Sequence, residues 1–234
     1  MEQMKRITSI VGFLFLLFTS TAYATEQRMT IVYAGTLLDV PGEPPKAAQT
    51  VLINNGKIEA VHEGYLRPAQ LDLRSEDVTV IDLKDRFVLP GLMDAHVHLT
   101  HRFGRKYRLP LITGEELLIA GIVNARATLE AGFTTVADLD VGANSWPIIV
   151  LRNAIEAGEI PGPRILAAGS SISPTGGHGD FLDKQDQISE QFSSPGLCDG
   201  VAECRRAVRR QFRQGSDLIK IHATGGGGER TGGK

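Results

Sequence analysis

Apolar and polar residues change their rhythm twice along the chain. Residues 7–18 are apolar except for Thr8, Ser9 and Gly12, with Lys5 and Arg6 before them and Ala22-Tyr23-Ala24 after them as a small-x-small cleavage site. A bilayer takes about 20 apolar residues to cross, so residues 1–24 read as a removed signal peptide rather than a membrane anchor. Residues 25–90 carry short alternating runs, and 30–33, 51–53, 57–61 and 78–83 are predicted strands. Asn55-Gly56 between the second and third is a hairpin turn, and Pro41, Pro44 and Pro45 make the first connection a loop. This stretch is expected to be a small β-sandwich portion.

From residue 91 the pattern becomes strand, helix, strand. After the Pro90-Gly91 turn, 92–99 is predicted as a buried strand. Thr113 and Glu116 form a capping box for a helix carrying Leu117, Leu118, Ile122, Ala125 and Leu129, which stops at Gly132. Residues 133–138 are the next strand, Ser145 caps a helix over 147–157, and 164–168 is a third strand. A long loop, 169–198, precedes a helix capped by Asp199. Its Val201, Cys204, Val208 and Phe212 are expected to face inward, and Gly215 closes it. Residues 217–223 make the fourth strand. Strands alternating with helices predict parallel β-α-β units, so the class is α/β.

Charge and cysteines narrow the picture little. The chain has 234 residues and a formal net charge of −2. Removing residues 1–24 takes away one acidic and two basic residues and leaves −3. No nucleic-acid or anionic-surface partner is announced. Arg205, Arg209 and Arg213 recur on one helix face without aromatic platforms, which reads as a solvated face. A Cys198–Cys204 disulfide is chemically allowed in an exported protein, but Cys204 on an apolar helix face is expected to be a free buried thiol.

Candidate chemistry concentrates in the region of alternating strands and helices. Side chains alternate in a strand, so Asp94, His96 and His98 share one face. Two neutral imidazoles so placed suit a borderline divalent ion, the alternative being a hydrogen-bonded pair. Lys220 shares a strand face with Leu218 and His222, and a lysine buried there must lose its charge, find a partner or be modified. His178 lies in the long loop within Thr-Gly-Gly-His-Gly, and Asp138 closes a strand as a supporting acceptor or a plain strand-end cap. His62 and His101 receive no role. Residues 228–234 fit the start of a phosphate-binding loop, without the Ser or Thr and the helix that complete it.

The Val-Leu-Pro-Gly-Leu-Met-Asp-Ala-His-Val-His run (88–98) and the Leu-Ile-Lys-Ile-His-Ala-Thr-Gly-Gly run (218–226) resemble the amidohydrolase superfamily, metal-dependent hydrolases built on a (β/α)8 barrel. The imidazolonepropionase-like and Xaa-Pro or Xaa-Arg dipeptidase groups are the nearest in pattern. The resemblance implies that His96 and His98 bind the inner metal, with Asp94 supporting them. It also implies that Lys220, carbamylated by carbon dioxide, is the catalytic residue that bridges two divalent ions, zinc first among them; a salt-bridged structural lysine is the alternative. His178 is implied as a substrate contact, against a plain Gly-rich turn, and His222 as either a substrate contact or a core histidine.

A closed barrel takes roughly 250 residues, and residues 91–234 hold four strands, so the fold expected is the first half of a TIM-type barrel. The resemblance puts a histidine after strand 5, another after strand 6 and a general-base aspartate after strand 8. The expected activity is metal-dependent hydrolysis of an amide in a dipeptide or similar small substrate, in part of a longer exported enzyme, periplasmic or secreted. Cyclic amides are the enzymatic alternative, and an inactive truncated product that binds metal weakly or self-associates is the other. Half a barrel leaves an open strand edge, which favours association into homo-oligomers. The leader reading has a direct check: protein recovered from an exporting host should start at Thr25 by N-terminal sequencing, and a start at Met1 contradicts it.

Overall fold

Asn55 and Gly56 both take positive φ, 49° and 76°, which is what a two-residue type I′ hairpin requires and what Asn-Gly supplies at low steric cost. The computed structural model describes residues 29–101, 113–139, 146–180 and 194–223. The leader 1–24, Ser145 and residues 228–234 lie outside the described residues. The chain divides into two units, Met1–Leu89 and Pro90–Lys234.

In the first unit the hairpin joins β2 (Lys46–Asn54) to β3 (Lys57–Glu63). With β1 (Met29–Leu37) and β4 (Val78–Val88) they form one sheet in the order β3-β2-β1-β4, antiparallel except for the parallel β1–β4 pair. All four predicted strands are present, each longer than its apolar run, because ladder hydrogen bonds extend past the residues that bury. Met29, Ile31, Tyr33 and Leu52 form one apolar cluster and Ala34, Leu37 and Val51 another. The register between β1 and β4 shifts at Gly35, where a Cβ would overlap the Lys84 carbonyl. The described residues of this unit form a single sheet; the second layer of a sandwich is not among them.

The second unit is built on three parallel strands, β5 (Leu92–Val97), β6 (Phe133–Asp138) and β7 (Arg164–Ala167), in the order β5-β6-β7. Between them run α1 (Gly114–Glu130) and α2 (Trp146–Glu156). The expected capping box forms: Thr113 Oγ1 accepts from the Glu116 amide at 3.3 Å, and the Glu116 carboxylate accepts from the Thr113 amide at 3.2 Å. Ala125, Val136, Ile148, Leu151 and Ile165 make the core between sheet and helices, where truncating a large aliphatic side chain to Ala costs about 2–5 kcal/mol. The predicted buried strand is less covered than its sequence suggests. Met93 is 77% exposed, because β5 has only β6 as a neighbour among the described residues.

Three expectations for the last segment are corrected. Helix α3 (Gly200–Gln214) does not turn Val201, Val208 and Phe212 inward; Val201 and Phe212 are 75% and 73% exposed, and Ala207 and Gln211 are the buried residues. Burial follows the hydrogen bond that Gln211 Oε1 accepts from the Ser170 amide, and small Ala207 lets the helix sit close. Cys204 is not a free thiol but is bonded to Cys198. The Cα atoms are 4.9 Å apart, within bridging reach, because Cys198 lies two residues before α3 and Cys204 in its first turns. Asp199 stands at the N-cap position, but its side chain makes no bond to the helix.

The predicted fourth strand is reduced to one bridge, Ile172 with Ile221. Residues 217–222 still run alongside the chain leaving β7: Asp217 N donates to Ala167 O, Ile172 N to Lys220 O and His222 N to Ile172 O, each at 2.8 Å. Gly169, at φ 69°, breaks the ladder between these points. Arg152 from α2 holds the start of this segment, donating to Gly215 O at 2.8 Å and to Asp217 Oδ2 at 2.6 Å.

The disulfide lies in a small core with Ile172, Ala207 and Ile219, so it staples the turn before α3 to the helix. Closing so short a loop contributes about 2 kcal/mol in the chain-entropy account. Reduction, or Cys204→Ala, should lower stability by about that amount in urea titration and raise hydrogen exchange first across 194–199. A midpoint indifferent to reductant would remove the staple.

Candidate functional site

Because β5, β6 and β7 are parallel, their carboxyl ends share one edge, and Val97, Asp138 and Ala167 are aligned in register there. Active sites of α/β folds form at this edge. His98 and Asp138 lie at it, His178 follows on the chain leaving β7, Lys220 and His222 lie on the segment beside that chain, and Asp94 and His96 are inside β5.

The Asp94 carboxylate accepts from the His96 amide at 2.9 Å and so braces the backbone between the two. The rings of His96 and His98 stand edge to face with centroids 5.2 Å apart. Two imidazoles sharing one tetrahedral ion, with Zn–N bonds of about 2 Å, have centroids about 5 Å apart, so the donor chemistry and the spacing fit one divalent ion. His98 also stacks on His101 at 4.9 Å, with an interplanar angle of 11°. A pocket of about 490 Å³ opens here, lined by Asp94, His96 and His98 and, from α1, by Asn124 and Thr128.

Asp138 is fully buried, and its Oδ2 accepts from the Leu99 amide at 2.6 Å. It therefore ties β6 to the chain just beyond His98. From the other side, Asn124 Nδ2 donates to Leu99 O at 2.6 Å and to His101 O at 3.2 Å.

A second pair of rings forms where the chain after β7 meets the Lys220 segment. His178 and His222 pack edge to face with centroids 4.6 Å apart, His222 being buried. The His178 loop is anchored by Asp199, whose carboxylate accepts from the Thr175 hydroxyl at 2.6 Å and the Thr175 amide at 3.1 Å. Those bonds, the hydroxyl's first, hold the Asp199 carboxyl below the usual aspartate value. Gly196 lets the chain pass against this loop, since a Cβ there would overlap the Ser171 carbonyl. Lys220 is half-buried, two residues before His222.

The predicted residues are thus brought into two ring pairs, His96 with His98 and His178 with His222. Among the described residues no group of three or more His, Cys, Asp or Glu side chains is gathered to hold a metal. Sequence reasoning missed Asn124, Arg152, Asp199's tie to Thr175 and Asp217. Arg152 had a legible signal as a lone cation in the apolar helix Trp-Pro-Ile-Ile-Val-Leu-Arg; Asn124 had none beyond being a weak helix former in mid-helix.

Comparison with known proteins gives the family of the chain. The chain is 33% identical over 229 residues to an ochratoxinase of Aspergillus niger, covering 88% of this chain and 44% of that protein. A crystal structure of a Xaa-Pro dipeptidase with bound methionine in the active site matches with a TM-score of 0.73 and 34% identity, over 85% of this chain and 48% of that one. A prolidase complexed with N-methylphosphonate-L-proline matches with a TM-score of 0.72 and 29% identity, over 88% and 49%. The chain spans about half the length of the proteins it matches. The amidohydrolase family pattern itself covers residues 87–231, from the end of β4 past the Lys220 segment, and the chain belongs to that family.

Proposed function

We propose that the whole protein is a metal-dependent hydrolase of amide bonds in small peptides, dipeptides first, and that the region described here supplies the first half of its TIM-type barrel. The observation that carries this reading is the edge-to-face His96–His98 pair at the carboxyl edge of a parallel sheet in an amidohydrolase-family chain. The likeness to a Xaa-Pro dipeptidase and a prolidase supports the choice of substrate.

In this proposal His96 and His98 hold the inner ion through neutral nitrogens, with Asp94 bracing the peptide between them. Lys220, as its carbamate, would replace a cation with a singly charged group of two oxygens able to hold divalent ions. When bound, divalent ions lower the pKa of water and polarise the scissile carbonyl. Zinc suits the imidazole and oxygen set, as do Mn, Co and Fe. His178 and His222 donate to the polar end of the substrate and fix its orientation. Asp138 holds the backbone beyond His98. Export through the leader belongs to the same proposal. Among the described residues no helix is long and apolar enough to cross a membrane.

The test is metal content and hydrolysis together in the full-length protein. About two divalent ions per site are expected, with Xaa-Pro dipeptide cleavage lost on chelation and restored by zinc. Lys220→Ala should remove at least 99% of activity and regain part of it in short carboxylic acids, which replace the carbamate oxygens. Full activity in Lys220→Ala would eliminate the bridging lysine.

A further inference from the structure

We propose that Asn124, in the middle of α1, is a positioning residue that aims the His98 imidazole by holding the turn His98 begins; this rests on the reading of His98 as a metal ligand. The ladder of β5 ends at Val97, whose carbonyl accepts from the Leu139 amide at 3.0 Å. His98 is therefore the first residue whose backbone the sheet does not hold. The residues after it are nevertheless buried, Leu99 to 3% and Thr100 to 1% exposure, and buried peptide groups need partners.

Two side chains from different elements supply them. Asp138 takes the Leu99 N–H and Asn124 gives one N–H to the Leu99 carbonyl, both at 2.6 Å. Both polar groups of the one residue following His98 are thus held by side chains. Asn124 also donates to the His101 carbonyl at 3.2 Å. Its amide bridges the two carbonyls of a turn that closes when the His101 amide donates to the His98 carbonyl at 3.2 Å. Only a side chain with two donors at this length makes both bonds. The near-parallel His98–His101 stack is the visible result. Asn124 and His98 line the same pocket, so a change at Asn124 reaches the imidazole through a single turn. Groups that orient a ligating histidine from outside typically matter 10–100-fold for metal affinity.

The experiment compares wild type with Asn124→Ala and Asn124→Asp, the latter keeping the size but losing the donors. Leu118→Ala serves as the comparison, because Leu118 packs on the core from the same helix. Ring-proton shifts of His98 and His101 are read in the metal-free protein, and zinc alone is titrated by calorimetry. Both Asn124 variants are expected to lose the ring-current shift of the stacked pair and to bind zinc 10–100-fold more weakly. Leu118→Ala is expected to lower Tm while staying within about threefold of wild-type zinc affinity. Unchanged ring shifts in both Asn124 variants overturn the proposal. So does equal weakening of zinc binding by Leu118→Ala, which would make the effect one of general stability. If wild-type zinc binding is indifferent to His98→Ala, the metal reading falls, and the metal-free ring shifts still decide whether Asn124 holds the ring.

Discussion

Parallel pairing sets the terms for the second unit. Strands running the same way deliver their carboxyl ends to one edge, and at that edge the ladder stops while the chain is still buried. Amides there are taken either by a neighbouring carbonyl, as Leu139 is by Val97 and Ala168 by Asp138, or by a side chain. Three side-chain acceptors serve this edge: Asp138 for Leu99, Asp217 for Ala167 at the end of β7 and Gln211 for Ser170. Each comes from a different stretch of the chain, so each also fastens two elements together. The edge that must be chemically versatile is thereby made stiff.

The same requirement explains why polar residues occupy places that an apolar stripe would claim. Gln211 is fully buried while Phe212 beside it is exposed, and the Gln211 Oε1 takes the buried Ser170 amide. Arg152 is buried in α2 for a related reason. Its guanidinium meets the Asp217 carboxylate and the Gly215 carbonyl, where α3 ends and the Lys220 segment begins. A charge in such a place is tolerated when it is paired and hydrogen-bonded, and here the pairing also fixes where the Lys220 segment starts.

The His178 loop is secured differently. It has one bridge to the segment before α3, Ser173 with Leu197, and the Thr175–Asp199 bonds. The disulfide then fastens that segment to the helix. The loop is thus held in place without being part of the sheet.

Much of this was legible from the chain alone, and for local reasons. The Asn55-Gly56 hairpin, the Thr113–Glu116 capping box, the alternation of strand and helix and the family motifs at His96, His98 and Lys220 depend on neighbours within a few residues, where φ, ψ and hydrogen-bond partners follow from residue type. Tertiary packing decided the rest. Which face of α3 is buried, that Cys204 meets Cys198, that Asp199 serves Thr175 rather than its own helix, and that Asn124 reaches the turn after His98 all depend on partners brought near by the fold. A hydrophobic stripe reports what a helix gains by burial. It carries no record of which distant amide needs an acceptor, and at the carboxyl edge of this sheet that need prevailed.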